Sequence, residues 1–387
     1  MESNLQTRVL HNKLTPELPH HLDISRQELA FDWTEVDIQQ IFRMLVARMT
    51  AKSFTGHPAC RNEEWLKLSI IFSIDLFATS FTLRMFPPWM HPIVAPINPA
   101  RWRLKRNIDK AKTILEPLME QHKEVVRRRA AGEEVEEEDS LLNWMMDNGT
   151  AQETEVLDLV TRQCFLTIAS IHTTSMALAN LIFDLTANPQ YFQPLREEIE
   201  EVETTMGKLG TVDAIGCKEY LPKLEKLDSA FVESQRFSPP ILLSANRVAL
   251  QPITLKDGTH IPMGTRLACA NVDILNDTLE NPVAYDALRW YRKRHETGQL
   301  NKYCAGQTEK HNLHFGYGNQ ACPGRHFAVG EIKLVMMRLL SEFEFKFPDG
   351  KGRPKNFYAD EKIFPDPRAK LMMRKRRIPC DKCGRTD

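Results

Sequence analysis

The sequence has no excess of charge of either sign. Fifty-one basic residues face fifty-one acidic ones, and the pI is about 7.2. That balance excludes the basic footprint of a nucleic-acid-binding protein. The local run RKRRI at 374–378 is expected to be a solvated edge near the chain end. No signal-peptide pattern is visible. The eight cysteines, at 60, 164, 217, 269, 304, 322, 380 and 383, fall at irregular spacing. This argues against a disulfide framework and for free thiols in a reducing compartment. CDKC at 380–383 has no second ligand pair to complete a zinc site. No transmembrane helix is expected: the most apolar run, LSIIFSIDLFATSFTL at 68–83, is too short and carries Asp75. A buried or lid-forming helix is expected there instead. Repeats and long low-complexity stretches are absent. AAGEEVEEED at 130–139 reads as a solvated linker.

Helical periodicity is what the sequence does have. Apolar residues recur at helical spacing over 33–50, 63–85, 100–131, 139–147, 153–187, 190–208, 224–237 and 324–343. Between 241 and 271 the pattern changes to β-branched residues broken by Asp257-Gly258, Pro262 and Gly264, which predicts short strands and hairpins. The fold class is therefore mainly α with a small β element, and no domain boundary is evident. Helix 153–187 would run roughly 50 Å, long enough to cross the molecule. It stops at Asn188-Pro189.

The stretch HFGYGNQACPGRHFAVGEIKL at 314–334 sets Gly316, Gly318 and Gly324 around Cys322, then starts an apolar helix. Glycines at such density let backbone approach another group closely. A thiolate at a helix N-terminus is stabilised by the dipole and is a soft ligand for iron. A buried structural cysteine is the competing reading, and the full spacing F-x-x-G-x-x-x-C-x-G weighs against it.

FGYGNQACPGR resembles the haem-binding loop of the cytochrome P450 family. Further signals follow the same order: ESQR, with Glu233 and Arg236; YDALRWY, with Arg289; and ASIHTTS in the middle of the long helix. The resemblance covers nearly the whole chain and implies a P450-like fold lacking its N-terminal part, one haem-thiolate monooxygenase domain over 1–387. It implies Cys322 as axial ligand of the haem iron. Phe315, Gly318 and Gly324 would lie beside the haem. Gln320 stands where the family usually places Arg or His near a propionate, so Arg247 is the candidate for that charge, with Arg8 a further propionate contact. Glu233, Arg236 and Arg289 would form a buried network. Thr173 matches the alcohol of the oxygen-activation segment. His172 replaces the family's acid and either relays protons or packs. Phe165, Ala169, Pro240, Ile241, Leu242, Leu243 and Phe364 would line the substrate.

SFTLRMFPPWMHP and IHTTS are similar to filamentous-fungal enzymes of terpenoid or related secondary metabolism. The implied reaction inserts one atom of O2 into a hydrophobic small molecule, with electrons from NADPH through a cytochrome P450 reductase. Two alternatives stay open: a non-catalytic fragment, or a haem-thiolate isomerase or dehydratase that needs no reductase. Family members are normally anchored on the cytosolic face of the endoplasmic reticulum. This chain, without a visible anchor, is expected to be cytoplasmic or peripheral.

Overall fold

The computed structural model describes residues 31–208, 217–271, 278–310 and 312–377. They fall into two compact units, one of residues 40–175 and one of residues 31–39 with 176–377.

The element order is β1 (Thr34–Val36), α1 (Ile38–Phe54), α2 (Glu63–Arg84), α3 (His91–Ile97), α4 (Pro99–Ala130), α5 (Leu141–Asn148), α6 (Val156–Ala187), α7 (Phe192–Met206) and α8 (Glu225–Phe237). Four short strands follow: β2 (Leu243–Val248), β3 (Ile253–Thr254), β4 (His260–Ile261) and β5 (Arg266–Ala270). The remaining elements are α9 (Arg289–Glu296), α10 (Arg325–Glu342), β6 (Phe343–Lys346), β7 (Phe357–Ala359), β8 (Lys362–Phe364) and β9 (Leu371–Lys375).

Local chemistry sets several boundaries. Asn62 caps α2 by accepting from Trp65 N at 3.0 Å, and Ser140 caps α5 by accepting from Asn143 N at 3.0 Å. Asn98 accepts from Ala100 N at 2.9 Å, and Pro99 opens α4 with its φ already helical. In the unit of residues 40–175, α2 packs along α4. The core between them includes Trp65, Leu66, Phe72, Leu115 and Met119. Asp75 is buried there, and Arg103 answers it at 2.7 Å and Asn107 at 3.2 Å.

In the other unit, β9 lies between β1 and β6 in an antiparallel sheet, and β2/β5, β3/β4 and β7/β8 form two-stranded pairs. Its core gathers Leu181, Phe183, Phe231, Leu334, Met336 and Leu339.

Three expectations change. The basic run begins on β9, the central strand, which carries Arg374 and Lys375, rather than lying wholly at a solvated edge. Arg374 pairs with Glu344 at 2.6 Å and stacks over Trp33, and Arg376 donates from its backbone to Glu342 O at 2.8 Å. The acidic segment is only partly solvated. Glu137 accepts from buried His122 at 2.9 Å, and Glu138 pairs with buried Lys52 at 2.7 Å. Such pairing lowers the desolvation cost that keeps carboxylates exposed. Thirdly, α2 and α6 are each long and apolar enough to cross a membrane by length and composition, although much of each is buried as in a core helix. Helix α9 was not legible as an apolar stripe because its sequence, RWYRKRHE, is mostly charged.

Candidate active site

The cysteine loop is built from its glycines. Gly316 has φ +78° and Gly318 φ +62°, a left-handed backbone that other residues enter at a cost. A Cβ on Gly316 would also press on Gln320 O at 3.2 Å. These turns bring Cys322 N to Phe315 O at 2.7 Å and close the loop. Cys322 is exposed as a free thiol. It sits three residues before Arg325, the first residue of α10, at the positive end of that helix's dipole. Beside it, Gly318 and Gly324 face open space: a Cβ on either would meet nothing within 4 Å.

Behind the loop, α8 carries a buried ion network. Glu233 takes a bidentate contact from Arg236, at 2.8 and 3.0 Å, and a third from Arg289 at 3.2 Å. Trp290 Nε1 donates at 2.9 Å and the backbone of Asp286 at 3.2 Å. Arg289 spends its remaining donors on the carbonyls of Glu280, Asn281 and Ala284. His314, just before Phe315, is held neutral: burial and the Arg236 guanidinium push it down to about 4.

On α6, Phe165, Ala169 and Thr173 recur every four residues and are all exposed, an open stripe on a helix whose other faces are largely buried. Phe165 meets Phe72 edge-on at 6.3 Å. Thr173 Oγ1 donates to Ala169 O at 2.7 Å. His172 turns elsewhere: its Nε2 meets Ile70 O at 3.1 Å, so that nitrogen carries the proton. Burial pushes His172 below the ordinary imidazole value.

In the unit of residues 31–39 and 176–377, Ile241 and Leu243 are exposed and Pro240 and Leu242 half-buried. Leu242 N donates to Glu361 O at 2.7 Å, and Ile241 bridges Lys362. This joins the segment to the β7/β8 hairpin, where Phe364 stacks on Phe357 at 5.1 Å. Arg247 follows an irregularity in the β2/β5 pairing. It is exposed, and its Nη1 donates to Asn246 O at 2.8 Å. Gln320 is exposed on the loop. Arg8 and CDKC lie outside the described residues.

The sequence profile named Cytochrome P450 matches residues 21–373. The chain belongs to the cytochrome P450 family. The cytochrome P450 monooxygenase ATR4 of Stachybotrys chlorohalonatus is 45% identical over 388 residues, which cover 96% of this chain and 73% of the relative. The ent-kaurene oxidase of Gibberella intermedia is 38% identical over 396 residues, covering 98% and 72%. Among solved structures, the retinoic acid bound cyanobacterial CYP120A1 superposes with a TM-score of 0.69 at 17% identity, covering 96% of this chain and 75% of that one. That likeness concerns the fold. The chain is a P450 monooxygenase, an oxidoreductase of a family that carries haem with a cysteine thiolate.

The P450 loop fits that group. An exposed soft donor, glycines opening onto empty space, and an adjacent helix N-terminus suit a flat ligand with a metal at its centre. Sequence reasoning missed Trp290, His314 and Arg325, although each touches the network or the loop, and Asp228, which binds Ala305 N ahead of the loop and Lys333 on α10. Only CPGR, with Arg325 in it, offered a local signal. Arg325 donates to Cys322 O at 2.9 Å and to Gly306 O at 3.1 Å.

Proposed function

We propose that this P450 hydroxylates a hydrophobic terpenoid or related secondary metabolite, with Cys322 as the residue that would hold the haem iron. The balance is R–H + O2 + NADPH + H+ → R–OH + H2O + NADP+, with the electrons arriving through a cytochrome P450 reductase. The observation that carries the proposal is the exposed Cys322 at the mouth of α10 with Gly318 and Gly324 open beside it. The names of the relatives, ent-kaurene oxidase among them, support the substrate class.

Haem bound at Cys322 supplies the oxygen-activating chemistry. The chain's own residues would do the rest. Cys322 would hold the haem iron through its thiolate, and Phe315 would shield that side of the loop from water. Arg247 would supply a positive charge to the group's carboxylates, and exposed Gln320 would offer a neutral donor. Thr173 binds its proton to the Ala169 carbonyl, so its lone pairs are free to accept from water and hold a proton path at Oγ1. His172, committed to Ile70 O, acts through packing of α6 on α2. Phe165 and Ala169 in one unit, and Pro240, Ile241, Leu242, Leu243 and Phe364 in the other, would each offer apolar side chains to a hydrophobic substrate.

A location on the cytosolic face of the endoplasmic reticulum membrane belongs to the same proposal. Exposed Phe81, Met85, Trp89, Ile93, Ile97 and Trp102 support it, with Arg101 nearby to meet anionic headgroups.

The test is a reduced CO difference spectrum on haem-loaded protein. Cys322→Ala should lose the thiolate-type band and Cys304→Ala should keep it. A thiolate band in Cys322→Ala overturns the assignment. Dependence of product on NADPH and reductase separates hydroxylation from isomerisation or dehydration.

A further inference from the structure

Five residues before Glu233, α8 buries a second acid with a different job. Asp228 Oδ1 pairs with Lys333 Nζ at 2.7 Å. Its Oδ2 accepts from Ala305 N at 2.9 Å and pairs with Arg294. Arg294 donates onward to Tyr303 O at 3.0 Å, and Lys333 to Leu221 O at 3.0 Å. All three charged side chains are buried. Burial alone would raise the Asp228 carboxyl, but Lys333 and Arg294 outweigh it and hold it below the ordinary value. Asp228 is therefore a carboxylate at neutral pH.

The partners lie on both sides of Cys322 in the chain. Ala305 opens the segment that leads to the cysteine loop. Lys333 sits about two turns into α10, the helix the loop feeds. Between them, Arg325 ties Gly306 O to Cys322 O, closing the base of the loop. Gly306 has no room for a side chain there, since a Cβ would lie 2.7 Å from His326 Nδ1. One carboxylate thus grips the strand of chain entering the loop and the helix leaving it.

We propose that Asp228 is a positioning residue that holds the base of the Cys322 loop closed and so fixes where the sulfur sits. The proposal rests on Cys322 being the axial ligand. Without Asp228, the Ala305 side and the α10 side lose their common anchor. The loop then loosens, and the ligand is held as a neutral thiol or not at all.

Three preparations test it: Asp228→Asn, the triple variant Asp228→Leu, Lys333→Met, Arg294→Met, and Cys322→Ala. The triple variant removes the anchor without leaving a lone buried charge, so it keeps its stability better than the single substitution. The readouts are the thiolate-to-thiol ratio in the CO difference spectrum, the thermal midpoint, and amide exchange over 313–324. Expected for both Asp228 variants is loss of most of the thiolate band and faster exchange in the loop. In the triple variant these changes come with a thermal midpoint near the parent's. A lowered midpoint with an unchanged thiolate ratio and unchanged loop exchange overturns the proposal and leaves Asp228 as an ordinary core ion pair. If a preparation does not retain haem, loop exchange alone decides: unchanged protection over 313–324 overturns it. Loss of the thiolate band in Cys322→Ala alone, with both Asp228 variants like the parent, refutes this inference and leaves the ligand assignment standing.

Discussion

Glu233 and Asp228 share a helix, full burial and two cationic partners each, yet they organise different things. Glu233 gathers its donors from α8 itself and from the stretch 286–290, so it welds one helix to one segment. Asp228 takes Arg294, Ala305 and Lys333, which come from three separate stretches. A charge with local partners fixes a junction. A charge with dispersed partners fixes the relation between segments that are not otherwise neighbours in sequence.

The largest effect should come from Glu233→Ala. It leaves Arg236 and Arg289 buried without their counter-charge, a loss of about 3–5 kcal/mol. Chemical denaturation should show that loss, and little haem should be retained. A variant with parental stability would mean the cluster contributes no more than a surface pair.

Next comes Trp290→Phe, which keeps an aromatic ring but deletes the Nε1 donor to Glu233 together with part of the indole. A cost of about 1–3 kcal/mol is expected for an acceptor left short of one partner in the interior. A neutral outcome would show that the two arginines and the Asp286 N–H satisfy the carboxylate without the indole.

Glu198 sharpens the comparison through pH. It accepts from Lys226 N at 2.6 Å and Leu227 N at 3.0 Å and so caps α8, but among the described residues no cation forms a salt bridge with it. Burial raises it from 4.5 to about 7, against the pull of those two N–H groups. Between those values the folded chain holds a proton that the unfolded chain has released. Stability from this group is therefore full below about pH 4.5 and falls as pH rises towards 7. Unfolding measured across that window should show the decline, and Glu198→Gln should flatten it. A decline of the same slope in the Gln variant would place its origin elsewhere.

The smallest effect is expected in the unit of residues 40–175, where Asn62 caps α2. Asn62→Ala should cost about 1 kcal/mol. Lys67→Ala, which breaks only an exposed pair with Glu63, should change stability by well under that.

What the sequence disclosed follows from what is local. Apolar periodicity and end signals such as Asn188-Pro189 placed α6 and most other helices, and glycine density marked the cysteine loop. The partners of a buried acid are not local. Trp290 lies 57 residues from Glu233 and Ala305 77 residues from Asp228, so no spacing rule joins them. Polarity misled for a related reason. Arg374 and Glu138 read as solvent-facing, yet Trp33, Glu344 and Lys52 arrive from distant positions to cover and neutralise them. His172 was ambiguous because a neutral imidazole serves equally to pack or to carry protons. Only its bond to Ile70 O shows which nitrogen is engaged.

The β1–β9 pairing has a consequence for how the protein is made. Thr34 pairs with Met373, so β1 leaves the ribosome about 340 residues ahead of its partner strand. At roughly 5–20 residues per second, that is a wait of about 17–70 s. Until β9 is made, β1 has an unpaired backbone edge, and β6, which takes the other side of β9, comes only shortly before it in the chain. Assembly of this sheet therefore waits for β9. Its yield in a foreign host will depend on how well the nascent chain is shielded during synthesis, quite apart from the supply of cofactor.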